Sequence, residues 1–191
     1  MFNDKAHSID TVAAGLVAGA RSSNVAKGGG VFHLQCVDKD GNVKWEETTH
    51  NLVVNEGLQN MNTQYFKGSS YTASFFLGLI TGPGSGTSFA AGDTLASHAG
   101  WTEYTDYSGA RKAVTFGTAS TADPSVIATS SSVSFTISGA GGTVAGAFLC
   151  TVSSGTSGVL FSEADFQSPG DRVVVSGDTL NVTYTFSLDA A

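Results

Sequence analysis

The sequence is short of charged side chains. Only 13% of its residues are Asp, Glu, Lys or Arg, about half the share of a typical globular protein. Sixteen acidic residues stand against nine basic ones, which gives a net charge of −7 at pH 7. No basic cluster is present, and binding to nucleic acid depends on Lys and Arg that neutralise phosphates. We therefore expect no direct contact with nucleic acid.

Small residues take the place of the missing charge, with 24 glycines beside many Ser and Thr. Such residues keep a surface soluble and lose little conformational entropy when a partner covers them. Long charged side chains lose much more. The composition therefore favours a subunit of a larger assembly.

Cysteines and long apolar runs are also scarce. Cys36 and Cys150 each lie within an apolar stretch, so we predict two reduced core residues rather than a disulfide. The most apolar N-terminal run, Thr11–Ala20, is shorter than the roughly 20 residues that span a bilayer. Asp4 and Asp10 before it are atypical of a signal peptide. We expect neither a signal peptide nor contact with a membrane.

Residues 1–30 differ from the rest in being rich in Ala, Gly, Val and Ser. They predict an extended N-terminal arm, joined through the glycine linker Lys27–Gly30 to a domain at 31–191. Such an arm cannot bury enough apolar surface alone to offset its chain entropy. We expect neighbouring molecules to hold it, with docking on its own domain as the alternative. Its candidate partner-binding residues are Phe2, Val12, Leu16, Val17 and Val25.

From Val31 onward the apolar residues alternate with a period of two, which predicts β-strands. Asp38–Asn42 contains Asp-Gly between two such runs and predicts a hairpin. The continuous apolar run Ser74–Ile80 predicts a central buried strand. Further candidates lie at 111–116, 132–137, 143–152, 158–161, 172–175 and 179–188.

One segment has helical spacing instead. Leu58, Met61 and Tyr65 predict a short helix over about residues 55–66, with Asn55 as its cap. About nine short strands with glycine-rich turns then predict an all-β, antiparallel β-sandwich of jelly-roll or immunoglobulin-like type. This fold class includes the one short helix and the N-terminal arm.

The residues that carry chemistry elsewhere do not form a recognised motif here. Ser is abundant, but no Gly-x-Ser-x-Gly elbow is present, and the four histidines lack metal-ligand spacing. We predict no enzyme activity and no cofactor.

One loop leaves two interpretations open. Trp101, Tyr104 and Tyr107, with His98, are a candidate surface site where aromatic rings stack on a sugar. In the alternative, Trp101 covers the core while His98 and Asp93 bond the loop backbone.

Several segments together resemble small virion proteins of tailed bacteriophages. The resemblance covers roughly residues 50–188, and none of its motifs is catalytic. The segments are His50–Leu58, Phe76–Ile80, Asp93–Tyr104, Arg111, Gly146–Leu149, Arg172–Val175 and Gly177–Tyr184.

The resemblance implies a head decoration (cement) protein that binds outside the major capsid lattice. Its expected partners are the major capsid protein and copies of itself, as a homodimer or homotrimer. Its expected location is the capsid surface of the virion, after synthesis in the bacterial cytoplasm. A tail fibre or baseplate protein and a carbohydrate-binding adhesin module are the alternatives.

Overall fold

A computed structural model describes residues 26–68, 74–82, 88–166 and 170–189 of the chain. Thirteen strands and one helix follow one another along these residues. They are β1 (Lys27–Val37), β2 (Val43–His50), β3 (Leu52–Val53), α1 (Asn55–Lys67), β4 (Phe75–Thr81), β5 (Thr102–Tyr104), β6 (Lys112–Val114), β7 (Ser125–Ala128), β8 (Val133–Thr136), β9 (Gly141–Val144), β10 (Gly146–Cys150), β11 (Leu160–Asp165), β12 (Arg172–Val175) and β13 (Thr179–Asp189).

The strands form two main sheets and a small ribbon, and all their pairings are antiparallel. Sheet A has the order β2-β1-β13-β7, and β8 pairs with the other end of β13. Sheet B has the order β3-β11-β10-β4-β5, and β6 pairs with the start of β4. β9 and β12 form the ribbon. The prediction of an all-β antiparallel sandwich with one short helix is confirmed.

The inter-sheet core fills the space between sheets A and B. The alternation predicted for β13 places Leu180, Val182, Tyr184 and Phe186 in this core. Side chains from sheet B meet them, including Leu77, Leu79, Ala147, Leu149, Phe161 and Ala164. Aromatic rings join the two sides, with Phe161 and Phe186 centroids 5.6 Å apart.

Sheet B is also covered on its other face, which makes β4 and β10 buried on both sides. A second core of Val54, Ile80, Leu95, Trp101, Ala145, Phe148, Cys150 and Leu160 lies there. The loop that leads into β5 supplies Leu95 and Trp101 to it. This double burial explains the continuous apolar run of β4, because such runs are typical of strands that meet no water.

The predicted glycine linker is wrong for residues 27–30. β1 begins at Lys27 and pairs residue by residue with β13 from Lys27 opposite Asp189 onward. Gly30 lies under Tyr184, where an added Cβ would come within 2.7 Å of the Tyr184 hydroxyl oxygen. The glycines therefore make room for side chains of β13, and the strand starts before the predicted boundary at residue 31.

The predicted helix is confirmed in position and differs in its cap. Val54 precedes the first turn and makes no side-chain capping bond, so the prediction that Asn55 caps the helix is wrong. Of the three residues whose spacing predicted the helix, Leu58 and Tyr65 are 42% and 84% exposed. The only buried residue of α1 is Gly57, whose backbone packs against the Phe161 carbonyl of β11.

A buried guanidinium fixes the turn that follows β10. Arg111 donates from Nε and Nη2 to the two carboxylate oxygens of Glu103, at 2.9 and 2.7 Å. Its Nη1 donates to the carbonyl oxygens of Val152 and Gly155, at 3.3 and 2.9 Å. Charge-assisted bonds of this kind are stronger than neutral ones. Arg111 thereby ties the 151–158 turn to sheet B.

Gly78 provides a test of the packing on the second core. An added Cβ at Gly78 in β4 would lie 2.3 Å from two ring carbons of Phe148, whereas at Gly29 in β1 it would meet nothing within 4 Å. We expect Gly78→Ala to lower the free energy of unfolding by about 1–3 kcal/mol through overpacking. Gly29→Ala, the matched control, should stay within about 0.5 kcal/mol of the wild type. Urea unfolding measures both, and equal stability of the two variants would contradict the packing described.

Candidate functional site

The aromatic residues of the predicted surface site are buried. Trp101, Tyr104 and Tyr107 are only 2%, 6% and 5% exposed. They also lie in different places, because Trp101 belongs to the second core and the two tyrosines to the inter-sheet core. No ring face is left for a sugar, so the carbohydrate-binding interpretation is wrong for these residues.

Trp101 instead pairs with a buried carboxyl group. Its indole Nε1 donates to Oε2 of Glu163 at 2.8 Å, and Glu163 on β11 is fully buried. No group of the described residues donates a hydrogen bond to its second oxygen, Oε1. Burial raises the pKa of Glu163 to about 8, and the nearby Asp93 carboxylate acts in the same direction. The Trp101 hydrogen bond opposes this rise, but burial is the larger effect.

The loop around Glu163 is held by the contacts of the alternative interpretation. Asp93 Oδ2 accepts a hydrogen bond from the Ala90 backbone N–H at 3.1 Å. His98 Nδ1 donates to the Trp101 carbonyl oxygen at 3.0 Å, and its ring stacks on the indole with centroids 3.7 Å apart. The prediction that Trp101 covers the core while His98 and Asp93 bond the loop backbone is confirmed.

Trp101, Glu163, Asp93 and His98 hold the loop before β5 in place. They form no site that a substrate could enter. An acid with a raised pKa can serve as a general acid only where a substrate reaches it. Glu163 is fully buried, and its Oε2 already accepts the Trp101 hydrogen bond. At neutral pH Glu163 is mostly protonated, and a proton on Oε1 turns an unpartnered acceptor into a donor beside Asp93.

The two cysteines are free and buried, as predicted. Burial, followed by the Asp178 carboxylate, raises the pKa of Cys36 to about 11. Burial also raises the pKa of Cys150. Both are therefore thiols at neutral pH, and the thiolate is the nucleophilic form.

Among the described residues, exposed large apolar side chains occur close together on α1 and on β12. Tyr65 and Phe66, on the last turn of α1, are 84% and 76% exposed. Val173 and Val175 of β12 are 65% and 48% exposed, and they point to the same side because strand side chains alternate. Exposed apolar residues that adjoin one another are typical of interaction sites.

The Asp178 carboxylate joins β2 to β12. Asp178 accepts hydrogen bonds from Lys44 Nζ and from the Val175 backbone N–H, which brings the start of β2 to the end of β12. Val43, next to Lys44, is 54% exposed. We call Val173 and Val175 the valine edge.

The arm residues Phe2, Val12, Leu16, Val17 and Val25 lie outside the described residues, and their role stays a prediction. Within the described ranges, no three His, Cys, Asp or Glu side chains are grouped so that they could hold a metal ion. No helix in this part of the chain is long and apolar enough to cross a membrane. The chain matches no protein-family model, no curated protein and no solved structure.

Little in the sequence indicates that Glu163 is buried. It stands in the run Leu160–Phe166, and period-two alternation assigns one face of a strand to water. Because both faces of sheet B are covered, the polar face of β11 is buried as well. The apolar composition of β4 and β10, on the same sheet, is the signal that could have indicated this.

The buried acid predicts a pH dependence of stability. The pKa of Glu163 is raised from 4.5 to about 8 on folding, so the folded state binds more protons between these values. Its contribution is fully present below pH 4.5 and is lost as the pH rises through 8. We expect the melting temperature to fall between pH 6 and 9. Glu163→Gln, which keeps the bond to Trp101, should lose this part of the fall and exceed the wild type at pH 9.

Glu46→Gln is the matched control, because Glu46 is an exposed carboxyl group on β2. It should follow the wild-type pH profile. If Glu163→Gln and Glu46→Gln show the same fall in thermal denaturation, Glu163 is not protonated in the folded protein.

Proposed function

We propose that this protein is a head decoration protein of a tailed bacteriophage, which binds the outside of the capsid through protein surfaces rather than catalysing a reaction. The observation that carries the proposal is the valine edge. β12 pairs only with β9 among the described strands, so its other edge has no strand partner there. Apolar strand edges of this kind bind other chains unless charge protects them.

The local geometry leaves this edge uncovered. Val175 lies opposite Gly141 in the ribbon, and Gly141 has no side chain to shield it. Gly141 has a φ of +87°, and an added Cβ would come within 2.3 Å of the Val174 carbonyl oxygen. Both features require glycine at this position. The residue opposite Val175 therefore has no side chain that could cover the valine.

The resemblance to phage virion proteins supports the same proposal. Its segments coincide with elements that build the sandwich: Phe76–Ile80 lies in β4, Gly146–Leu149 lies in β10, and Asp93–Tyr104 carries Trp101 over the second core. These residues belong to the strands and the loop that build the sandwich. The surface that binds a particular capsid is then free to differ.

The charge of the chain suits a position outside the capsid. With a net charge of −7, the protein would be repelled by packaged DNA, and its proposed partners are the major capsid protein and further copies of itself. A homodimer or homotrimer that joins neighbouring capsomers stabilises the shell by added interface alone. The proposed location is the virion surface.

A tail position is the second candidate, since glycine-rich sandwiches with apolar edges also suit a fibre or baseplate. Two measurements on purified particles separate the candidates. An antibody against residues 26–191 should label heads in electron micrographs, and the copy number should be comparable with that of the major capsid protein. Labelled tails with few copies would replace the decoration proposal by the tail proposal.

The valine edge predicts how attachment is lost. We expect Val173→Asp with Val175→Asp to reduce binding to capsids stripped of this protein by at least about tenfold, because two charges would enter an apolar contact. Both side chains are exposed, so the melting temperature should change little. Sedimentation of capsids with bound protein measures the affinity.

The matched control is Thr115→Asp with Thr118→Asp, which adds the same charge at two exposed residues elsewhere. It should bind as the wild type does. Equal binding by the two double variants would exclude the valine edge as the attachment surface.

A further inference from the structure

A groove of about 660 Å³ opens beside the last turns of α1. Its apolar lining includes Met61 of α1, Phe75 of β4, Phe161 of β11 and Leu188 of β13. Four elements therefore converge on it, at the end of the sandwich where the inter-sheet core reaches the surface. Its size falls in the range of sites that enclose most of a bound molecule.

Two aromatic side chains stand at this groove without being buried. Tyr65 and Phe66 line it, and their rings meet edge to face with centroids 5.0 Å apart. They are 84% and 76% exposed. Large apolar side chains side by side in water are unfavourable, and this arrangement indicates an occupant.

The polar groups of the lining define what the occupant is made of. They are the amides of Asn60, Asn62 and Gln64, together with the Tyr65 hydroxyl, and no charged side chain of the described residues lines the groove. Amides donate and accept hydrogen bonds, so they can pair with peptide N–H and C=O groups. An uncharged apolar peptide segment therefore fits better than a charged ligand.

The chain itself supplies such a segment at this point. Ala26, the first residue that the structure describes, lines the groove, so residues 1–25 join the domain there. Thr11–Ala20 contains no charged residue, and Val25 directly precedes Ala26. Leu16 is ten residues away, a span of at most about 35 Å in extended chain. Such a short connection gives a local concentration in the millimolar range.

We propose that the groove binds the N-terminal segment of the same chain, with Leu16, Val17 and Val25 packed against Met61, Tyr65 and Phe66. Of the two alternatives that the sequence leaves open for the arm, this selects docking on its own domain. The inference does not rest on the proposed function, because it concerns the isolated protein.

Methionine methyl NMR provides the test, since Met1 and Met61 are the only methionines. In the full chain, we expect the Met61 methyl signal to be several-fold less broadened by a soluble paramagnetic agent than in protein lacking residues 1–25. Its chemical shift should also differ between the two. The shortened protein should still fold, because β1 begins at Lys27.

Two variants of the full chain complete the test. Leu16→Asp with Val17→Asp should give the Met61 signal of the shortened protein, whereas Asn3→Asp with Ser8→Asp adds the same charge outside the apolar run and should leave the signal unchanged. An identical Met61 signal with and without residues 1–25 overturns the proposal. A signal that depends on protein concentration, together with a dimer by light scattering, also overturns it and assigns the groove to a second copy's arm.

Discussion

The fold depends on the pairing of its first described strand with its last. β1 and β13 pair over eleven residues, from Lys27 opposite Asp189 to Val37 opposite Thr179. This pair forms the centre of sheet A, since β2 adds to one side and β7 and β8 to the other. Contacts so distant in sequence cost loop-closure entropy before they stabilise anything. The inter-sheet core compensates for that cost, and much of it is attached to these two strands.

The same pairing explains why composition misled at the chain's beginning. Lys27–Gly30 has no apolar side chain, so by composition alone it indicates a linker. In the structure, apolar side chains come from the partner strand: the Phe186 ring lies 3.3 Å from where a Cβ of Gly28 would be, and Tyr184 lies over Gly30. A glycine-rich strand that lies beneath aromatic residues of its partner strand has the composition of a linker, so the sequence of the strand alone does not identify it. β13 could be predicted because the alternation of apolar and polar residues lies within the strand itself.

Sheet B shows a second limit of sequence patterns. The continuous apolar run of β4 correctly predicted a strand buried on both faces, and the hairpin around Asp38–Asn42 and the helix position were equally accessible. The covering of the outer face was left open between two interpretations of Trp101, because Leu95 and Trp101 come from a loop without periodicity. That loop turns Trp101 from a candidate sugar platform into a core residue. It also places Glu163 where its neutral form is favoured.

The exposure of Tyr65 and Phe66 results from the way in which α1 packs on the sandwich. α1 meets sheet B at Gly57, where the absence of a side chain lets the helix backbone approach the Phe161 carbonyl. A contact made through the first turn leaves the last turn, with Tyr65 and Phe66, without a partner among the described residues of the sheets. Of the residues whose helical spacing predicted α1, Met61 packs against the inter-sheet core, whereas Leu58 and Tyr65 are exposed. Adjoining exposed aromatic side chains of this kind are typical of interaction sites, and they are the basis of the proposal that the groove binds the N-terminal segment.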